Sequence, residues 1–74
     1  MKVKLIIIPD KSSKVLLFEK KEKLRALDIL KTISKELGLP SSSLVLTRRG
    51  EVLADDDFIY DGDVIEVLKV FSGG

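Results

Sequence analysis

The sequence predicts a single two-layer α+β domain, in which one main helix packs on one face of a mixed sheet of four to five strands. Three observations support this prediction. Two β-branched segments open the chain, one helical apolar stripe occupies its middle, and further strand-like segments separated by Gly and Asp turns fill the second half. A chain of 74 residues is long enough for one domain with one hydrophobic core.

The first elements form a predicted hairpin. Residues 2–8 are rich in Ile and Val and partly alternate with lysine, which is typical of a strand. Residues 9–13 contain Pro, Asp and Ser, which favour a turn because Pro fixes φ and the polar side chains bond their own backbone. Residues 14–19 predict the second strand.

A helix is predicted from about Lys23 to Leu37. Its buried stripe has the spacing i, i+3, i+4, i+7, i+11 and consists of Ala26, Ile29, Leu30, Ile33 and Leu37, widened by Leu27. The start is weakly marked, because residues 20–23 include no Ser, Thr, Asp or Asn cap. The end is clear, since Gly38 suits a left-handed position and Pro40 cannot continue the helix.

The second half predicts three more strands. These are a third strand at 44–48, a short fourth strand at 51–53 and a final strand at 64–71, with a tight turn at Arg49-Gly50. Two acidic turns, residues 55–57 and 61–63, flank Phe58, Ile59 and Tyr60, and we expect Phe58 to lie in or near the core. The element order suits a β-grasp arrangement, with the first and last strands side by side in the middle of the sheet.

Strand alternation predicts which side chains face the helix. The inward set consists of Val3, Leu5, Ile7, Leu44, Leu46, Ile65 and Val67. The opposite parity places Val45, Thr47, Leu68 and Val70 on the outer face, together with Ile6 and Ile8 of the first strand.

Composition argues against several classes of function. There is no Cys and no His, so thiolate metal sites and the usual neutral-pH proton shuttle are missing. A net charge of +1 argues against a nucleic-acid partner. No apolar run approaches the roughly 20 residues of a membrane span, and no signal-peptide pattern is present, so we expect a cytoplasmic protein without a membrane partner. The Asp spacing does not match a calcium loop, and we expect neither a metal site nor catalytic residues.

Asn and Gln are absent, whereas Lys and Glu are abundant. This bias is typical of proteins from hot environments and suggests a thermophilic source.

The last residues form a predicted flexible tail, Ser72-Gly73-Gly74, after a domain that spans residues 1–71. Glycine lacks a Cβ, so two glycines let the backbone enter a narrow slot on another protein. The four residues from Phe71 extend at most about 13–14 Å, enough to deliver a carboxylate into a cleft. A frayed end or an expression scar is the alternative explanation.

The strand order, the run Asp61–Val67 and the ending Val70–Gly74 resemble the ThiS/MoaD family of ubiquitin-like small sulfur carrier proteins over essentially the whole chain. The resemblance implies that Gly74 is the reactive group and that Gly73 keeps the chain next to it narrow. An adenylating enzyme of the ubiquitin-activating class would join Gly74 to AMP from ATP, and a sulfur donor would convert it to a thiocarboxylate for an acceptor synthase. The chain would then be a co-substrate rather than an enzyme, a monomer when free, with no permanently bound cofactor.

The resemblance leaves the pathway open among thiamine, molybdopterin and tRNA thiolation. The ending lacks the proline pair of many molybdopterin-type members, which favours thiazole-type or general carriers.

A partner enzyme must also bind the folded domain of a carrier. We expect partner binding through the outer apolar residues Val45, Leu68 and Val70, continued by Phe71 and Ser72, with Arg48 and Arg49 beside them. Ordinary surface exposure of apolar side chains is the alternative.

Three rival functions stay open. The first is a protein modifier, in which activated Gly74 forms isopeptide bonds, and the second is a permanent small subunit of a molybdopterin-synthase-type complex. A generic binding module with an incidental tail is the third.

Overall fold

The computed structural model describes residues 1–8, 10, 12–18 and 22–70. Their elements, in chain order, are β1 Lys2–Ile8, β2 Ser12–Leu17, β3 Lys23–Arg25, α1 Ala26–Leu37, β4 Leu44–Arg48, β5 Glu51–Val52, β6 Phe58–Tyr60 and β7 Val64–Lys69. A single 3-10 turn, Ser41–Ser43, leads into β4. The predicted architecture of one main helix on a mixed sheet of four to five strands is confirmed, and the sheet has five strands.

The main sheet has the strand order β2-β1-β7-β4-β5. Strands β1 and β7 are parallel neighbours, and every other pair in this sheet is antiparallel. The prediction that the first and last strands lie side by side in the middle is therefore confirmed. Both strands carry alternating apolar residues, as expected for strands with one face toward a helix.

The core lies between α1 and the inner face of this sheet. All seven residues predicted to face the helix are buried, and they are joined by Ala26, Ile29 and Ile33 from α1 and by Leu16, Leu24 and Ile59. Leu30 and Leu37 of the predicted stripe are partly buried against this cluster. The apolar side chains that recur every second residue in the strands thus pack against those that recur every 3.6 residues in the helix, and together they form one hydrophobic core.

The predicted helix start at Lys23 is wrong. Residues 23–25 form β3, which pairs antiparallel with β6 as a separate two-stranded ribbon. Leu24 and Ile59 are directly opposite each other in this ribbon, and both are buried in the core. This strand is only three residues long and has one inward side chain, so local β-propensity does not indicate it, and it forms because it pairs with β6.

The helix begins at Ala26 because a distant loop satisfies its first donors. The backbone N–H of Ala26 donates to the Asp57 carbonyl at 2.8 Å, and that of Leu27 donates to the Asp55 carbonyl at 3.0 Å. Unpaired N–H groups at a helix start otherwise need side-chain caps or water. The Asp28 carboxylate adds a 3.3 Å bond from the N–H of Arg25, whose own side chain has no acceptor to cap with.

The helix end follows the prediction. Gly38 is left-handed with φ 66°, and the N–H of Leu39 donates to the Ser34 carbonyl at 3.1 Å. The Ser34 hydroxyl donates in turn to the Leu39 carbonyl, so the last turn closes on itself.

Several predicted strand limits shift by one or two residues. Ser12 and Ser13 were expected in the first turn, but they open β2, where they pair with Ile7 and Ile6. Strand β5 ends at Val52 and β7 at Lys69. Residues 19 and 71, predicted as strand ends, lie outside the described residues. The Arg49-Gly50 turn has φ of 54° and 81°, the pair of left-handed residues that a two-residue hairpin requires.

Phe58 was predicted in or near the core, and this is wrong, since the side chain is 37% exposed. Ile59 occupies the inward position of β6, so alternation turns Phe58 and Tyr60 outward. The Lys23 ammonium lies 4.3 Å from the centroid of the Phe58 ring, a cation–π contact across the ribbon.

Candidate functional site

The outer sheet face, turned away from α1, carries an apolar row that crosses three strands. Leu68 of β7 is directly opposite Ile8 of β1 and Val45 of β4. Ile6, two residues before Ile8, has the same parity and extends the row along β1. Together with Val70 these residues form what we call the docking face, namely Ile6, Ile8, Val45, Leu68 and Val70.

Residues of the docking face are accessible but packed together. Ile6, Ile8, Val45 and Leu68 are half-buried, and Val70 is 41% exposed. Neighbouring side chains in a sheet lie about 5 Å apart, so each shields its neighbours from the sides and leaves its tip accessible. The predicted outward direction of these residues agrees with their burial.

A polar pair borders the docking face. Thr47 was predicted to point outward, and its hydroxyl donates to the Glu66 carboxylate at 3.1 Å on the neighbouring strand. Thr47 is nevertheless only 7% exposed, because it lies between Glu66 and Val52 and is shorter than either. The docking face therefore ends at a fixed polar contact.

Val70, which we call the root of the tail, is anchored beside the docking face. The backbone N–H of Val70 donates to the Ser43 carbonyl at 2.8 Å, which extends the β7–β4 pairing one residue past the strand. On the other parity of β7, the Lys69 ammonium binds the Asp10 carboxylate at 2.6 Å. Together these contacts fix the position of Lys69 and Val70 at the end of β7. Phe71, Ser72, Gly73 and Gly74 lie outside the described residues.

Arg48 is not brought together with the docking face. It shares the parity of Leu46, and its Nη1 donates to the Asp63 carboxylate at 2.8 Å and to the Phe58 carbonyl at 2.9 Å. These contacts join the end of β4 to the β6–β7 segment on the helix side of the sheet. Arg49, in the adjacent turn, is exposed.

We expect Arg48→Met to lower the free energy of unfolding by about 1–2 kcal/mol, because the Asp63 carboxylate and the Phe58 carbonyl lose a charged donor. Arg49→Met is the matched control and should change stability by less than about 0.5 kcal/mol. Urea denaturation of both variants measures the difference. Equal losses of stability in the two variants would contradict the prediction that Arg48, and not Arg49, stabilises the fold.

Hydrogen bonds connect the acidic turn at residues 61–63, which precedes β7, to the start of β1. Oδ1 of Asp61 accepts from the N–H of Lys2 at 2.6 Å, and the N–H of Gly62 donates to the Lys2 carbonyl at 2.8 Å. Asp63 accepts from the N–H of Tyr60 at 2.9 Å in addition to Arg48. These carboxylates therefore satisfy backbone donors, which is the usual role of Asp in turns.

Other kinds of site are not seen in the part of the chain that the structure describes. It contains no enclosed cavity and no cluster of three or more His, Cys, Asp or Glu side chains suited to a metal ion. Its helices are also too short or too polar to cross a lipid bilayer.

Comparison with known structures identifies the fold. The ubiquitin-like (UBL) domain of Plasmodium falciparum Dsk2 superposes with a TM-score of 0.75 at 14% identity, covering 93% of this chain and 96% of that domain's chain. The N-terminal ubiquitin-like domain of the 4931431F19Rik protein gives a TM-score of 0.76 at 26% identity, covering 100% of this chain and 78% of that one. This chain has the ubiquitin-like β-grasp fold. No protein-family model matches it.

The ubiquitin-like fold confirms the predicted β-grasp architecture and refines the predicted resemblance. These two structures are ubiquitin-like domains, and neither of them is a ThiS/MoaD sulfur carrier. Ubiquitin-like domains are typically non-catalytic. On this ubiquitin-like domain, the docking face and the adjacent root of the tail form the candidate site.

The row through Leu68 could be found only in part from the sequence. Alternation assigns its members to one face, but the register that aligns Ile8, Leu68 and Val45 depends on non-local pairing. The anchoring of Val70 by Ser43 and of Lys69 by Asp10 was missed. Nothing in the sequence near those positions indicates either contact.

Proposed function

We propose that this ubiquitin-like domain is a sulfur carrier whose residue Gly74 is adenylated by a partner enzyme and converted to a thiocarboxylate. The observation that carries the proposal is the continuity of β7. Leu68 lies at the centre of the docking face, and two residues later Val70 starts the segment that leads to Gly73-Gly74. A partner that binds the docking face is therefore close to Val70, from which the tail continues.

The chemistry that we propose keeps all catalytic groups on the partner. A Gly74 carboxylate oxygen attacks the α-phosphorus of ATP and pyrophosphate leaves, which gives an acyl-adenylate with a good leaving group. The terminal sulfur of a donor persulfide then attacks the acyl carbon and AMP leaves. A second donor thiol attacks the inner persulfide sulfur, which releases the Gly74 thiocarboxylate and leaves a disulfide on the donor.

The small size of the tail residues supports this chemistry. Glycine at 73 and 74 presents only backbone, so the acyl carbon can approach within bonding distance of a nucleotide in a narrow channel. The anchored root at Val70 limits the directions from which the tail can start. Positioning of this kind contributes strongly to reactions between two bound groups.

Intact-mass measurement tests the proposal. The protein isolated from its source should end at Gly74, as encoded or after processing. Incubation with ATP, the cognate activating enzyme and a sulfur donor should raise its mass by about 16 Da, the exchange of oxygen for sulfur. The proposal fails if a cognate enzyme forms the adenylate but no thiocarboxylate appears with any persulfide donor.

The docking face leads to a separate prediction. Leu68→Asp should reduce activation at least about tenfold, because it places a charge in the centre of the apolar contact. The thermal midpoint should change little, since Leu68 is half-buried on the outer face and not part of the core. Val64→Asp, on the same face of β7 but outside the docking face, is the matched control. A large drop in the midpoint of the Leu68 variant would mean that this side chain supports the core.

A second candidate function is a ubiquitin-like binding domain in which the tail is not reactive. The 26% identity to an N-terminal ubiquitin-like domain favours it, because such a domain precedes further chain. Here the docking face alone would carry the function. Deletion of Gly73-Gly74 would then leave partner binding unchanged, whereas Leu68→Asp would abolish it.

A protein modifier shares the activation step and differs in the final nucleophile. A lysine amine would attack the activated Gly74 and form an isopeptide bond. Conjugates that survive strong reductant and hydroxylamine would favour the modifier over the carrier, because thioesters and acyl persulfides are cleaved by these reagents. Stable co-purification with a larger synthase subunit would instead favour a permanent small subunit.

A further inference from the structure

Strand β2 is an open edge of the main sheet. It pairs with β1 on one side, and no other described strand lies on its other side. Strand edges present unpaired N–H and C=O groups, and many proteins protect them with proline, bulges or charged side chains. The charged residue within β2 is Lys14, and its ammonium is turned back to the Glu36 carboxylate of α1 at 2.7 Å. Among the residues that the structure describes, nothing therefore gives the edge this protection.

The register shows which groups of β2 are free. Met1 and Phe18 exchange two hydrogen bonds, of 2.7 Å and 2.8 Å, so they form a hydrogen-bonded pair of the antiparallel ladder. Such pairs alternate along the strands, which makes Leu16 and Lys14 the next residues of β2 bonded to β1. The backbone groups of the intervening residues, Ser13, Val15 and Leu17, point away from β1 along the open edge.

Side chains beside this edge combine exposed apolar groups with cations. Val15 is 49% exposed and Leu17 is 75% exposed on the outer sheet face. They are directly opposite Lys4 and Lys2 of β1, in the pairs where side chains lie closest. Within the described residues neither lysine ammonium forms an ion pair, and the nearby Asp61 carboxylate binds the backbone N–H of Lys2.

Charge decides which kind of strand fits the edge. A second copy of this chain, paired antiparallel about Val15, would satisfy the same backbone groups. It would also bring Lys2 and Lys4 of both copies to one face of the joined sheet, separated by the two β2 strands, and β2 itself carries no carboxylate that could pair with these lysines. An acidic strand satisfies the backbone groups and places carboxylates within reach of both lysines.

We propose that the open edge of β2 binds an extended acidic segment of a partner protein, which adds to the sheet as a sixth strand. Backbone hydrogen bonds to Ser13, Val15 and Leu17 give the register, and Lys4 and Lys2 select the acidic side chains. The site meets the docking face at one position, since Ser13 is directly opposite Ile6. Val15 and Leu17 lie opposite the start of β1, whereas Leu68 is opposite its end at Ile8. A partner strand on the edge therefore leaves Val45, Leu68 and Val70 accessible to a second partner.

Amide hydrogen exchange of the full chain tests the proposal. The probe is the peptide acetyl-Val-Glu-Val-Glu-Val-Glu-Val-amide, and the control peptide carries lysine at each glutamate position. In the free protein the amides of Lys14 and Leu16 should be protected and those of Val15 and Leu17 should exchange freely. At ten times the Kd of the acidic peptide, exchange at Val15 and Leu17 should slow about tenfold.

Two variants connect the exchange result to the edge. Val15→Pro removes an N–H that points away from β1, so it should abolish peptide binding without removing a bond of the β1–β2 ladder. Lys4→Glu leaves the backbone unchanged and should weaken binding at least about fivefold. Lys31→Glu, an exposed position on α1, is the matched control and should bind as the unaltered protein does.

Three results would overturn the proposal. Equal binding of the lysine peptide would exclude selection by charge. Binding with no change at Val15 and Leu17 would place the peptide elsewhere. Protection of these amides in the free protein, together with a dimer in sedimentation, would show that a second copy occupies the edge.

Discussion

Replacing Gly73 with valine should abolish formation of the thiocarboxylate at Gly74. A branched Cβ at this position widens the backbone where the proposed mechanism requires it to pass through a narrow channel, and it restricts φ and ψ. A displacement of about 1 Å at a reacting carbon can cost about 100-fold in rate, so we expect loading to fall at least that far. Intact mass after timed incubation with the cognate enzyme and ATP measures the loss.

A graded series controls this experiment. Gly73→Ala should lie between glycine and valine, because it adds one methyl group without branching. The thermal midpoints of all three proteins should agree, since β7 ends at Lys69 and the anchoring bond to Ser43 comes from Val70. Loading of the valine variant at the original rate would show that the tail is not threaded through a narrow channel.

Replacing Ile65 with alanine should lower the free energy of unfolding by about 2–5 kcal/mol. Ile65 is fully buried in β7, directly opposite Leu5 of β1, and its loss leaves a cavity in the middle of the core. Small domains have a total stability of about 5–15 kcal/mol, so this change removes a large share. Urea denaturation followed by circular dichroism measures it.

The adjacent residue provides the control. Val64 precedes Ile65 in the same strand, and its side chain is 47% exposed on the outer sheet face. Val64→Ala should cost less than about 1 kcal/mol, because little apolar surface returns to water. Equal losses for the two variants would contradict the alternation of β7.

The core of the fold could be predicted because its signals are local. The period of two in β1 and β7 identified the buried side chains, and a strand that slips by one residue would expose all of them. The left-handed Gly38 marked the end of α1 for an equally local reason, the absence of a Cβ. The burial of residues such as Leu5 and Ile65 can therefore be predicted from the few residues on either side of them in the sequence.

The start of α1 could not be predicted in the same way. Its first donors bind carbonyls of Asp55 and Asp57, about 30 residues away along the chain, and no pattern near Ala26 indicates them. The ribbon of β3 and β6 depends on the same loop. Phe58 was misplaced because its hydrophobicity suggested the core, whereas the register assigns that position to Ile59.

The candidate site was predictable to a similar extent. Alternation assigned Leu68 and Val45 to one face, and the structure adds the register that makes them neighbours. Arg48 was grouped with them because it is close in sequence. Its parity and its bonds to Asp63 and Phe58 instead assign it to the helix side. Proximity along a strand does not predict proximity on a surface, because successive side chains point to opposite faces.

The parallel pairing of β1 with β7 also bears on how the protein is made. Leu5 finds its partner Ile65 only when almost the whole chain is available, and contacts of such long sequence separation slow folding. On the ribosome, a nascent chain that lacks β7 has an incomplete sheet and an exposed apolar helix face. Most of the core therefore cannot form before β7 has been synthesised, and an enzyme that acts on the tail encounters it only after synthesis has passed this strand.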